Sequence, residues 1–84
     1  MEKPNWLLQE HIKMTLDARP ILAAGEHPLA RVLDETKNLH SGEIYELITP
    51  FPPVPMIEKL KIAGFECYSE PDTSGLFRNY FMRP

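Results

Sequence analysis

Apolar and polar positions alternate through Ile12-Lys13-Met14-Thr15-Leu16, which predicts a strand that turns Ile12, Met14 and Leu16 toward a core. The period then lengthens. Leu29, Val32, Leu33 and Thr36 recur at helical spacing, with Arg31 and Glu35, and Asp34 and Asn38, four apart on the outer side. His27 is the predicted N-cap of this helix and Pro28 its first residue, where a missing N–H costs nothing. Turn formers from Asn38 to Gly42 end it. The apolar stretch Arg19 to Gly25 before the helix is predicted to be a loop lying against the body of the domain.

Ile44 to Ile48 is rich in strand formers, but its alternation is imperfect and leaves the buried face open. The stretch Pro50-Phe51-Pro52-Pro53-Val54-Pro55 must be extended, since prolines remove donors and fix φ. A second helix is predicted from Pro55 to Ala63, with Met56, Ile57, Leu60 and Ala63 on one side, Ile62 off that stripe and Gly64 as a left-handed stop. Phe65 to Ser69 and Leu76 to Met82 flank the turn Pro71-Asp72-Thr73-Ser74-Gly75 and predict a hairpin.

The order β-α-β-α-β-β, with right-handed crossovers, predicts an α+β two-layer sandwich: a mixed four-stranded sheet with both helices on one face. The other face would stay partly open, with aromatic candidates among Tyr45, Tyr68, Phe77, Tyr80 and Phe81. Residues 1–10 are expected to form an N-terminal extension and residues 11–84 a single domain. Trp6, Leu7 and Leu8 would pack onto that domain or fray from it.

Composition narrows the function classes. With 43% apolar and 25% charged residues, the chain suits a packed globule. Its nine basic residues are scattered among twelve acidic ones at net charge −3, so nucleic acid is not an expected partner. No segment has the pattern of a signal peptide or membrane span, and no membrane partner is expected. The single cysteine excludes an internal disulfide framework and agrees with a cytoplasmic location. His11 and His40 lack paired spacing, so neither a metal nor a cofactor is expected.

The stretch Gly25-Glu26-His27-Pro28 at the mouth of the first helix is the candidate site, because a helix start presents unpaired N–H groups. His27 could titrate there or serve only as a cap. Glu26 could complement the helix dipole or repel an anion. Arg19 could reach the same mouth and hold a carboxylate or sulfur oxyanion, or pair with Asp17 or Glu26. No catalytic residue is expected there.

Leu16-Asp17-Ala18-Arg19, His27-Pro28-Leu29 opening a helix, and Ser41-Gly42-Glu43 before a strand together resemble the TusA/SirA-like superfamily. The Pro50 to Pro55 stretch and Gly64-Phe65 are similar to a bacterial branch of domains of unknown function within it. The resemblance runs from about Leu16 to Arg83. In the sulfur carriers of that superfamily a cysteine in a Cys-Pro-x-Pro motif carries a persulfide. Aligned on Pro28, that cysteine position falls at Gly25 and the first proline at Glu26, so carrier chemistry is not implied here. The branch's histidine in the loop before the second helix is also missing, since that loop reads Pro50-Phe51-Pro52-Pro53.

The resemblance with these departures implies a non-catalytic binding or adaptor module for a small anion or a protein partner, with Arg19, Gly25, Glu26, His27 and Pro28 as ligand-binding residues. One alternative is sulfur-handling or redox chemistry at Cys67, which would need an exposed thiolate. Another is a structural homo-oligomer, weakly associated through the open sheet face.

Overall fold

The computed structural model describes residues 2–84. After a 3-10 turn at Gln9–His11 the elements are β1 (Ile12–Asp17), α1 (Arg19–Ala23), α2 (Leu29–Thr36), β2 (Ile44–Thr49), α3 (Val54–Ile62), β3 (Glu66–Pro71) and β4 (Phe77–Met82). The strands lie in the order β1-β2-β4-β3, with β1 parallel to β2 and the other pairs antiparallel. This is the expected α+β sandwich.

One face of the sheet carries the main core. Val32 of α2 and Met56 and Leu60 of α3 pack with Tyr45, Leu47 and Phe81. Full burial of a side chain such as Leu60 contributes about 2 kcal/mol, so this layer outweighs any surface ion pair. The Tyr45 hydroxyl donates to Glu35 Oε1 at 2.5 Å, and Arg31 Nε donates to Glu35 Oε2 at 3.3 Å. Glu35 therefore ties α2 to the sheet as well as to Arg31 on the outer side. Burial, then Glu35, pushes the Tyr45 phenol up. Arg83 closes the far end of α2: Nη2 donates to the Thr36 carbonyl at 3.0 Å, and the guanidinium lies 5.0 Å over the Phe65 ring.

Asn79 sits in this apolar layer with no exposed surface. Its Nδ2 donates to the Leu47 carbonyl at 2.9 Å and to Thr49 Oγ1 at 3.1 Å, while Ser69 Oγ donates to its Oδ1 at 2.7 Å. Thr49 Oγ1 in turn donates to the Phe51 carbonyl at 2.6 Å. Three strands and the proline-rich stretch are thereby joined through one side chain.

Several expectations need correction. Arg19 to Ala23 is a short helix, because the Asp17 carboxylate accepts the Arg19 N–H and Pro20 sits in the first turn. Its apolar side does lie against the body, through Leu22. The cap of α2 is Pro28, whose carbonyl accepts from Val32; His27 lies one residue outside and makes no side-chain cap bond. Ile12 leaves the helix-facing stripe: it pairs with Ile44 while Met14 pairs with Tyr45, and the register shift between them puts the two on opposite faces. Ala63 is exposed just beyond α3.

The second face is also closed in the middle. Ile44 and Tyr80 point away from the helices, yet are 0% and 3% exposed. Glu70 lies on this face of β3 and pairs with Lys3 at 3.2 Å. Residues 4–11 therefore run across the sheet from β3 to the start of β1, and cover Ile44 and Tyr80 on the way. Glu46 is buried there too. It accepts from Thr15 Oγ1 at 3.0 Å and pairs with Arg78 at 3.2 Å, and Arg78 also pairs with Asp72. Burial first, then Glu46, pushes the Tyr80 phenol up to about 12.

Replacing Asn79 with Ala leaves a carbonyl and two hydroxyls without their partner in a dry layer. Urea unfolding should register a loss of about 2–4 kcal/mol. A change below about 0.5 kcal/mol would show that these groups find other partners.

Candidate functional site

The parallel strands β1 and β2 end at the same edge of the sheet, and the starts of α2 and α3 meet there. Such an edge is where open α/β sheets hold ligands. A cleft of about 200 Å³ opens between the two helix starts. Leu22 of α1 forms one side and His27, Pro28 and Leu29 another. Phe51, Pro53 and Pro55 form the side opposite, and Thr49 and Met56 complete the lining. Its exposed surface is almost wholly apolar.

The proline-rich stretch shapes the cleft and leaves few donors on its α3 side. Pro53 and Pro55 have no N–H, and the Val54 N–H is already given to the Pro52 carbonyl. The start of α2 is different. Among the described residues the Leu29, Ala30 and Arg31 N–H groups have no hydrogen-bond partner, and Pro28 offers no side-chain cap. The start of α2 thus offers three free N–H groups, and the start of α3 offers one, that of Met56.

The sequence-predicted site residues divide. His27 and Pro28 line the cleft, and with Glu26, Ala30 and Arg31 they also line a shallower hollow on its outer side. Gly25 does neither. It has φ +79° and ends α1, with its N–H on the Leu22 carbonyl and the Glu26 N–H on that of Ile21, both at 3.0 Å. This 6→1 closure needs a left-handed residue, so glycine stands there for the backbone's sake. Arg19 is turned to Asp17, donating from Nη2 at 2.7 Å and from Nε at 3.0 Å, and belongs to neither hollow. The Arg19 guanidinium holds the Asp17 carboxyl below its usual range, and Asp17 raises Arg19.

Cys67 lies on the helix-facing side of β3, packed against the core. Burial pushes its thiol up to about 11. Among the described residues no three His, Cys, Asp or Glu side chains gather as metal ligands, and no helix is long and apolar enough to cross a membrane. Comparison with protein-family models, curated proteins and solved structures gives no match for this chain.

Of the cleft residues, His27 and Pro28 follow from helix-start chemistry, whereas Phe51 stands out in the sequence only as part of the extended proline-rich stretch. Leu22, Thr49 and Met56 were not singled out as site residues, since each reads as an ordinary loop, strand or helix position.

The native thiol should react with a disulfide reagent at pH 8 on the order of a hundredfold more slowly than in unfolded chain, because its thiolate population falls with the upward shift from 9.0 to about 11. Since the folded value is raised, its stabilising contribution is complete below pH 9 and is lost as pH rises through about 11. Equal rates for native and unfolded chain would contradict the burial.

Proposed function

We propose that this protein is a non-catalytic binding or adaptor module whose cleft receives the apolar part of a small anion or of a protein partner. The observation that carries this reading is an apolar cleft beside a helix start with three unpartnered N–H groups, Leu29 lining the cleft and Ala30 and Arg31 the outer hollow. An apolar body would pass from water into the cleft and displace the water there, while an acidic group meets the α2 start, where the helix dipole favours it. His27 stands between the cleft and the outer hollow, placed to contact a group that spans both.

The TusA/SirA-like relationship is part of the same proposal. The order of elements and the helix start at Pro28 support it, and the short α1 with its Gly25 stop accounts for a glycine where a carrier would hold cysteine. A cytoplasmic site of action accords with the single, half-buried cysteine. Sulfur chemistry at Cys67 draws no support from a half-buried thiol with a raised pKa.

Amide shifts on titration with 3-phenylpropionate, 3-phenylpropanol, a capped phenylalanine peptide and sodium sulfate separate the ligand sources. The expected result is movement of Leu22, Leu29, Thr49 and Phe51 signals with phenylpropionate or the peptide, with sulfate alone at least tenfold weaker. Phe51→Ala should weaken the response about tenfold, for loss of one aromatic contact. Sulfate binding as tightly as phenylpropionate, or none of these probes moving the cleft signals, would overturn the reading.

A further inference from the structure

The sheet has two outer strands, β1 and β3, and their free edges are built differently. β3 ends in Pro71, which has no N–H to offer, and carries Glu66 and Glu70. Pairing of β3 with its own copy about Tyr68 would set Glu66 against Glu70, acid against acid. β1 has no proline and carries one charge of each sign, Lys13 and Asp17. The Ala18 N–H is given to the Ile48 carbonyl, so by the alternation of a ladder the peptide groups of Leu16 and Ala18 face β2 while those of Thr15 and Asp17 face outward. Among the described residues no backbone group beyond the ladder meets the N–H or carbonyl of Thr15 or Asp17. Met14 and Leu16 pack on the core yet stay partly exposed at this edge. The register shift between Ile12 and Met14 bounds the regular edge on one side and the start of α1 bounds it on the other, so the open stretch is short and centred near Thr15.

We propose that β1 of a second copy of this chain occupies this edge, antiparallel about Thr15, joining the two sheets into one. The register follows from charge. With Thr15 opposite Thr15, Lys13 of each copy stands opposite Asp17 of the other, and the two Thr15 residues exchange their outward N–H and carbonyl groups. A shift to Leu16 opposite Leu16 would instead set Lys13 against Arg19. Lys13 is exposed and has no ion pair among the described residues, and the Asp17 side chain stays 37% exposed while it holds Arg19. On the helix-facing side this register sets Met14 beside Leu16 of the other copy and takes both further from water, a gain that the single chain lacks. Within one chain Lys13 and Asp17 lie about 13 Å apart along the strand, too far for an ion pair, so their interaction is one between copies. This edge is separate from the cleft, which none of Lys13, Thr15 and Asp17 lines.

Charge exchange between full-length variants tests it. In Lys13→Glu two acids meet across the pair, and in Asp17→Lys two lysines meet. Mixed 1:1, each meets its opposite, and only on the other chain. Sedimentation equilibrium should find a dimer of the unsubstituted protein, dissociation at least about tenfold easier for Lys13→Glu because opposite pairs become like pairs, and recovery in the mixture to within about threefold. Asp17→Lys also removes the carboxylate that accepts the Arg19 N–H, so Lys13→Glu is followed on its own by hydrogen exchange. In the unsubstituted protein the Thr15 amide should exchange at least about tenfold more slowly at millimolar than at micromolar concentration, while the Ala18 amide, bonded within the sheet, should not change. Lys13→Glu should abolish the difference at Thr15. A monomer at millimolar concentration, a Thr15 amide indifferent to concentration, or a Lys13→Glu variant that dimerises as tightly as the unsubstituted protein would overturn the proposal.

Discussion

Asn79 has no exposed surface, so its amide must find all its partners inside an otherwise apolar layer. It does so only when β2, β3 and β4 stand in one register, because Leu47, Thr49 and Ser69 are its partners on the two neighbouring strands. A slip of one residue would carry the side chain to the other face and leave those groups unpaired. The apolar core supplies most of the stabilisation, but it tolerates alternatives that the amide does not. Through Thr49 the same network reaches the Phe51 carbonyl and fixes the proline-rich wall of the cleft. The register of the sheet and the shape of the candidate site thus rest on connected hydrogen bonds.

The two faces of the sheet are closed by different means. The helices cover one with a continuous apolar layer, and the segment before β1 covers the other over a face that also holds charge. Glu46 can be buried there because Arg78 and Thr15 meet both of its oxygens. Asp72 holds Arg78 from the turn side while accepting the Ser74 and Leu76 N–H groups, so the hairpin turn and the buried carboxylate are coupled. The Ser74 hydroxyl, donating to Oδ1, holds the Asp72 carboxyl below its usual range.

The elements, their order and the helix-facing layer were legible because hydrophobic period reports burial directly. Gly64 read correctly as a helix stop, with φ +98° and a 6→1 bond from Phe65 to Leu60. Gly25 performs the same task for α1, but the helix it ends is too short to announce itself by period. Ile12 was misplaced because a single register shift leaves no trace in the alternation. Strand β2 looked irregular because both of its faces are covered, and the cover of the second is supplied by a segment distant from it in sequence. Asn79 and Thr49 carried a faint signal as polar residues among strand formers, but their partners are fixed only by the pairing of strands. At the candidate site, His27 and Pro28 followed from helix-start chemistry. Arg19 did not join them, because the carboxylate two residues earlier is nearer than the cleft.

The cleft is an apolar hollow whose wall is moored to the core through Thr49. Dry apolar sites take up xenon, so methyl spectra under xenon pressure test this directly. Shifts should concentrate at the Leu22, Leu29 and Met56 methyls and be lost in Thr49→Val, which keeps the side chain's shape but cannot hold the Phe51 carbonyl. Shifts absent from those methyls, or unchanged by that substitution, would contradict it.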